Sequence, residues 1–163
     1  YLTPRILLKY TPDNKTDIRA SIGTGWRTVS LFAENINVLT SNRNIVFKET
    51  LNPEKSVNLG LSVNQKWKIG KIDFLGSVDF YHTQFQNQFF PDYDTNPNVV
   101  TIANFTGPSI SNAFQSEISS ELNDMLSLRI AYNALDVSRK IEDQKLVLPF
   151  NSKHRFLCVL SFS

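Results

Sequence analysis

The sequence predicts an all-β protein: an antiparallel up-and-down meander of about seven long strands, with no convincing amphipathic helix. Three observations carry that expectation. Apolar residues recur at every second position along most of the 163 residues. The connections between these stretches alternate between tight turns and long loops. Aromatic residues are abundant at 12%, with 12 Phe, 5 Tyr and 2 Trp. Alternation with period two places one face of a strand in an apolar medium and the other in water.

The first strand carries Ile6, Leu8 and Tyr10 on its apolar side and ends at the turn Pro12-Asp13-Asn14-Lys15. The second sets Ile18, Ala20, Ile22 and Trp26 against Asp17, Arg19, Ser21 and Arg27, and a long connection over 28–53 follows. The third is the clearest. Val57, Leu59, Leu61, Val63, Gln65, Trp67 and Ile69 alternate with Ser56, Asn58, Gly60, Ser62, Asn64, Lys66 and Lys68. That run is well over twice the usual strand of about 5 or 6 residues.

A turn at Lys68-Ile69-Gly70-Lys71 leads to Ile72, Phe74, Val78 and Phe80, then to a second long connection over 86–108. Phe114, Ile118 and Leu122 oppose Gln115, Glu117 and Glu121. The turn Leu122-Asn123-Asp124-Met125 joins them to Leu126, Leu128, Ile130 and Tyr132. A third long connection over 139–152 precedes Phe156, Cys158, Leu160 and Phe162. Asn, Asp and Gly in the short turns tolerate positive φ, and Pro presets it.

Composition excludes several classes. Mean hydropathy is slightly negative, which alone would point to a soluble protein. Lys plus Arg number 17 against 15 acids, a net charge of +2. That surplus is too small for a nucleic-acid binder with a clustered basic face. One cysteine forms neither a disulfide framework nor a multi-cysteine metal site. No apolar run approaches the roughly 18 residues of a transmembrane helix. The chain opens on Tyr1-Leu2-Thr3-Pro4 and closes within an apolar strand. It is therefore expected to be a fragment, residues 1–163 of one larger unit with no second domain.

The loop asymmetry indicates the setting. In a meander with alternating connections, every short turn falls on one rim and every long loop on the other. Compact soluble domains rarely carry three such loops, whereas outer-membrane barrels do so as a rule. Tyr10 and Trp67 sit on the apolar parity beside the short turns, and Trp26 sits on it at the other rim. This is the placement expected of interfacial aromatic girdles. Polar lumen positions dilute lipid-facing ones and account for the mild hydropathy. The expected fold is thus a segment of a large transmembrane β-barrel. The competing reading is a soluble β-sandwich that binds a ligand such as carbohydrate.

Five motifs, in order along the chain, extend this reading. They are Asp17-Ile18-Arg19-Ala20-Ser21-Ile22-Gly23-Thr24-Gly25-Trp26-Arg27; Leu51-Asn52-Pro53-Glu54-Lys55-Ser56; Asp79-Phe80-Tyr81-His82-Thr83-Gln84-Phe85-Gln86-Asn87-Gln88; Ser111-Asn112-Ala113-Phe114-Gln115-Ser116-Glu117 after Asn104-Phe105; and Leu148-Pro149-Phe150-Asn151-Ser152-Lys153-His154-Arg155. Their sequence and spacing resemble the barrel of TonB-dependent outer-membrane receptors. Thr28-Val29 and Ala113 depart from the small residue, Pro and Gly usual at those places.

The resemblance implies a barrel of 22 strands with a plugged lumen, in the Gram-negative cell outer membrane. Such a receptor binds and imports an iron chelate, haem, cobalamin or oligosaccharide with energy from TonB. This chain would be about a third of that barrel, lacking the plug, the TonB-interacting segment and the final strands. Its partners would then be outer-membrane lipid, the remaining strands and plug, TonB through the missing N-terminal region, and a small nutrient. No nucleic-acid partner is expected.

No enzyme is expected, and no cofactor. His82 and His154 stand far apart without partners at metal spacing, and Cys158 lies on the apolar parity as a small buried or lipid-facing residue. Gly23-Thr24-Gly25 precedes no helix, so it is not a phosphate loop. Asp92-Tyr93-Asp94-Thr95-Asn96 imitates the start of a calcium loop, but Pro97 replaces the required glycine and Ala103 the terminal Glu. Glu117 and Glu121 are expected to be solvated. Exposed aromatics and a cation on long loops of a rigid scaffold suit ligand capture. Phe32, Arg43, Phe47, Phe90 and Tyr93 are the candidate ligand-binding residues, with packing of the loops over the barrel mouth as the alternative. An isolated wall of seven strands cannot close, so it is expected to need detergent or to self-associate.

Overall fold

A computed structural model describes residues 2–28, 36, 40–48, 50–92, 95–104, 107, 109–123, 125–141, 144–147 and 152–162. Eleven strands follow one another among these residues: β1 Arg5–Asp13, β2 Thr16–Arg27, β3 Asn44–Phe47, β4 Glu54–Ile69, β5 Ile72–Gln86, β6 Phe89–Asp92, β7 Val99–Asn104, β8 Ser109–Asn123, β9 Leu126–Ile141, β10 Gln144–Val147 and β11 His154–Phe162.

The long strands form one antiparallel sheet in the order β1-β2-β4-β5-β8-β9, and β9 then pairs with both β10 and β11. β11 runs along the lower part of β9, from Leu126 to Ala134. β10 runs along its upper part, from Ser138 to Ile141. Together they make a seventh column in two pieces. The expected long connection over 139–152 is therefore corrected: much of it is a hairpin that continues the sheet beyond the other strands.

Each short turn closes by local chemistry. The Asp13 carboxylate accepts the Lys15 and Thr16 amides, each at 2.7 Å. Gly70 takes φ of +62°, a left-handed conformation that suits glycine. The Asn123 carboxamide oxygen accepts the Met125 amide at 2.9 Å. An Asx turn, a left-handed glycine and a second Asx turn thus build one rim.

Register shows how the strands lean. Ile18, Val63, Val78, Ser116, Tyr132 and Phe156 share one cross-strand row. Counted from that row, the turn ends lie 2 residues away on β2 (Ile18 to Thr16), 6 on β4 (Val63 to Ile69) and 7 on β8 (Ser116 to Asn123). This progressive stagger is the shear that a tilted barrel wall requires.

The two faces differ in chemistry. One displays Ile22, Leu59, Leu61, Phe80, Ile118 and Phe156, all exposed. The other carries Ser21, Asn58, Ser62, Asp79, Gln115 and Asn133. Among the described residues no second sheet covers the apolar face, as a sandwich would require. Trp67 stacks on Phe74 with ring centroids 5.7 Å apart and lies so close over Gly76 that a Cβ there would stand 2.7 Å from the indole. Both edge strands, β1 and β11, are exposed along their whole length.

Burial occurs elsewhere. The buried apolar residues among those described are Phe89, Val100 and Ile102, packed with Ile45 and Leu51. They belong to a small second sheet in the order β3-β7-β6. It is assembled from the first two long connections, and β3 runs parallel to β7. The meander itself is antiparallel throughout, and the parallel pair belongs to this second sheet, where two loops meet as strands.

Candidate functional site

The surface that ligand could meet lies on the long-loop rim, together with the polar face of the sheet below it. On that polar face, three cross-strand rows nearest the loops run from β2 to β8. They are Ser21–Gly60–Tyr81–Ala113, Gly23–Asn58–Thr83–Ser111 and Gly25–Ser56–Phe85–Ser109. These residues are uncharged, but the second row continues to Arg5 on β1 and the third to Arg139 on β9, and the Arg27–Glu54 pair stands one step above on the same face. The Asn58 amide donates to the Thr83 hydroxyl at 2.6 Å on the row that Arg5 of β1 joins. The Tyr81 ring leans across Gly60, where an added Cβ would stand 3.0 Å from two ring carbons.

Charges gather lower, toward the short turns. Asp17 holds Lys9 and Arg19, each at 2.8 Å, and Arg129 reaches Glu117 at 2.7 Å. Glu117 was expected to be solvated, but it is half-buried and paired. The cause is register, which sets Ser119 beside Arg129 and Glu117 one step along the same face. A trough of about 790 Å³ lies over this charged zone, with Lys15, Lys66, Lys68, Asp73, Glu121 and Arg129 among its lining residues.

Above the sheet stands the β3-β7-β6 cap. Glu54, the first residue of β4, is buried and joins it to the wall. Its carboxylate pairs with the Arg27 guanidinium and accepts the Phe89 amide at 3.0 Å. Asn104 at the end of β7 accepts the Asn52 amide at 2.6 Å and donates to the carbonyls of Asn52 (3.0 Å) and Asn87 (2.6 Å). In the sequence both residues stand out only as members of the family-like motifs Leu51-Asn52-Pro53-Glu54-Lys55-Ser56 and Asn104-Phe105; neither is a candidate for joining loop to wall or loop to loop.

The candidate loop residues divide. Arg43 lies half-buried just before β3, and Phe47 ends β3 with half its surface exposed. Phe90 stands in β6, with its side chain outside the description, and Phe32 and Tyr93 fall outside the described residues. Phe47 and the β6 strand that holds Phe90 are thus brought into one small sheet, on either side of β7.

Both histidines have side-chain partners. His82 meets the Asn112 carboxamide at 2.7 Å, and His154 meets the Tyr132 hydroxyl at 2.8 Å while its ring stacks on that of Tyr132. Cys158 is exposed in β11, on the apolar face. Among the described residues no group of three or more His, Cys, Asp or Glu is placed to hold a metal ion.

A two-faced, sheared sheet with one rim of tight turns matches a known barrel. The model of the TonB dependent receptor-like β-barrel family matches residues 1–156. The chain belongs to the TonB-dependent receptor-like β-barrel family. No curated protein matches it. Membership identifies a receptor barrel of a kind that resides in the outer membrane and makes the apolar face the lipid-facing one. On β4 the apolar set from Val57 to Ile69 extends about 40 Å along the strand. A tilt of about 40° turns that into about 30 Å across the membrane, close to the thickness of the hydrocarbon core.

The lipid face has a boundary that follows the shear. Ile22 and Leu59 share a row with His82, Asn112 and Asp136. Apolar residues on β2 and β4 thus give way to polar ones on β5, β8 and β9, as the short turns descend along the same path. The change is sharpest on β5, where His82 and Gln84 follow Phe80, whereas on β8 Ile110 follows Asn112 on the same face.

Proposed function

We propose that this chain forms part of the wall of an outer-membrane receptor that captures a scarce nutrient at the long-loop rim and passes it inward. One observation carries this reading: among the described residues the long sheet leaves its apolar face uncovered, while the buried apolar side chains lie in a cap built from its loops. In the full receptor, β1 and β11 continue into the remaining strands, a plug occupies the lumen, and TonB supplies the energy. The chain takes no part in catalysis and contributes a single barrel unit.

The uncharged rows from Ser21 to Ser109 support a ligand of matching character. Hydroxyls, amides and the Tyr81 ring suit an uncharged, hydroxyl- or amide-bearing molecule such as an oligosaccharide or cobalamin. An anionic iron chelate would call for a denser cluster of Arg and Lys than this level has, where Arg5 and Arg139 stand at the outer ends of two rows and Arg27 is paired with Glu54. Arg43, Phe47 and Phe90 contribute from the cap, with Phe32 and Tyr93 from the same loops.

The test is binding to the full receptor in liposomes, with maltohexaose, cyanocobalamin, ferric citrate and haemin as probes. The expected outcome is saturable binding of one uncharged probe, weakened by Tyr81→Ala and by Asn58→Ala. Saturable binding of ferric citrate or haemin alone would overturn the ligand class. A receptor that fractionates with soluble protein would overturn the membrane reading itself.

A further inference from the structure

The buried apolar side chains described in this chain lie in one place, and that place is built from two loops distant in sequence. Ile45 and Leu51 come from the loop between β2 and β4. Phe89, Val100 and Ile102 come from the loop between β5 and β8. We propose that these two loops form one preassembled cap that ligand meets as a single rigid body, rather than two flaps that close independently.

Three independent sets of contacts join the halves. The first is the parallel β3–β7 pairing from Asn44↔Val99 to Phe47↔Ile102. Further backbone bonds extend it from Asn44 to Asn98 at 3.0 Å and from Lys48 to Ile102 at 3.1 Å. The second is the core, in which Val100 and Ile102 are fully buried. Parting the loops would expose both to water and leave their strand amides unpaired. The third is a side-chain clasp, in which Asn104 ties Asn52 in one loop to Asn87 in the other. Glu54, paired with Arg27 on the wall, binds the Phe89 amide and attaches the cap to the wall. Motion of either loop alone breaks all three, whereas motion of the cap as a unit breaks only its attachment to the wall.

The ligand in this proposal rests on the receptor reading above, but the joining of the loops does not. The experiment therefore has two arms, both in the full receptor with Cys158 and any other cysteine replaced by Ser. Val46→Cys is combined with Thr101→Cys, register partners in β3 and β7 that lie outside the buried core. Paired strands lie about 4.8 Å apart, within the Cα range a disulfide spans.

In the first arm, mild oxidation without ligand is expected to crosslink the pair almost completely, at a rate more than tenfold above a pair on opposite rims, Val46→Cys with Met125→Cys. In the second, uptake of maltohexaose or cyanocobalamin, whichever the unmodified receptor takes up, is expected to stay within twofold of the reduced form. A second pair, Asn44→Cys with Val99→Cys, replaces the first if that variant fails to reach the membrane. A folded receptor that stays reduced overturns the proposal. So does an oxidised receptor that loses uptake and regains it with dithiothreitol. Crosslinking in a receptor that takes up neither probe upholds the cap and sinks only the choice of ligand.

Discussion

Glu54 is a charged side chain withdrawn almost wholly from solvent, and its two partners come from different parts of the wall and the loops. Replacing it with Ala leaves the Phe89 amide buried without an acceptor, which costs about 1–3 kcal/mol. Hydrogen exchange of the β7 amides is expected to accelerate in Glu54→Ala. Glu54→Gln keeps an acceptor oxygen for Phe89 and should fall between Glu54→Ala and the unmodified chain. Only the position of this residue was legible in sequence, at the head of an alternating run. Its burial depends on a loop that folds back from over thirty residues downstream, which no local pattern reports. Gly76 teaches the same lesson from the other side. The indole of Trp67 occupies the space a side chain would need, so Gly76→Val must displace it. In a Trp26→Phe background, which leaves one tryptophan, this substitution is expected to shift the emission maximum of Trp67.

At the scale of elements, the long strands and their tight turns were readable because each displays its physics locally. Fourteen or more residues of period two cannot be mistaken for a helix, and Asp13, Gly70 and Asn123 are turn residues with a mechanism. The turns also give a graded prediction. Gly70 sits at φ of +62° with nothing near its missing Cβ. Gly70→Ala is therefore limited to the cost of the left-handed backbone, about 1 kcal/mol. Gly70→Asn should cost less, because Asn tolerates that region. The midpoint of urea unfolding in refolded receptor measures both. The short strands were not readable. β3, β6 and β10 have four residues each, too few for a period to emerge. β7 exists as a core strand only because β3 and β6 arrive on either side of it. Phe47, expected as an exposed aromatic of a loop, is exposed but stands at the end of a four-residue strand.

Across the whole molecule, the distribution of burial separates this chain from a soluble domain. Among the described residues its largest sheet buries no apolar side chain, which is the arrangement of a wall whose apolar face meets lipid. Two neighbouring substitutions test that inside-out arrangement. Val63 lies at the middle of the apolar set on β4 and Asn64 faces the other way. Val63→Arg should destabilise the receptor by about 2–4 kcal/mol, the range for a cation at the bilayer midplane. Asn64→Arg should be nearly neutral. Equal effects on unfolding in detergent micelles would contradict the assignment of faces. The isolated chain makes a further prediction, since β1 and β11 leave two open edges and the wall is wide and apolar. In sedimentation it should require detergent or run as oligomers, and a detergent-free monodisperse monomer would count against it.

The parallel pairing of β3 with β7 also constrains the order of events during folding. The hairpins β1-β2, β4-β5 and β8-β9 can zip from their turns, each contact only a few residues from the last. β3 and β7 enclose the entire β4–β5 hairpin between them, so their meeting must close a loop of some fifty residues, at an entropic cost that nearby contacts avoid. The cap can therefore form only after the hairpin beneath it has brought its two halves to the same rim. During that interval Val100 and Ile102 are exposed, and they become buried only when the wall below them stands. The cap is a late product of assembly, and its completion marks a correctly registered wall.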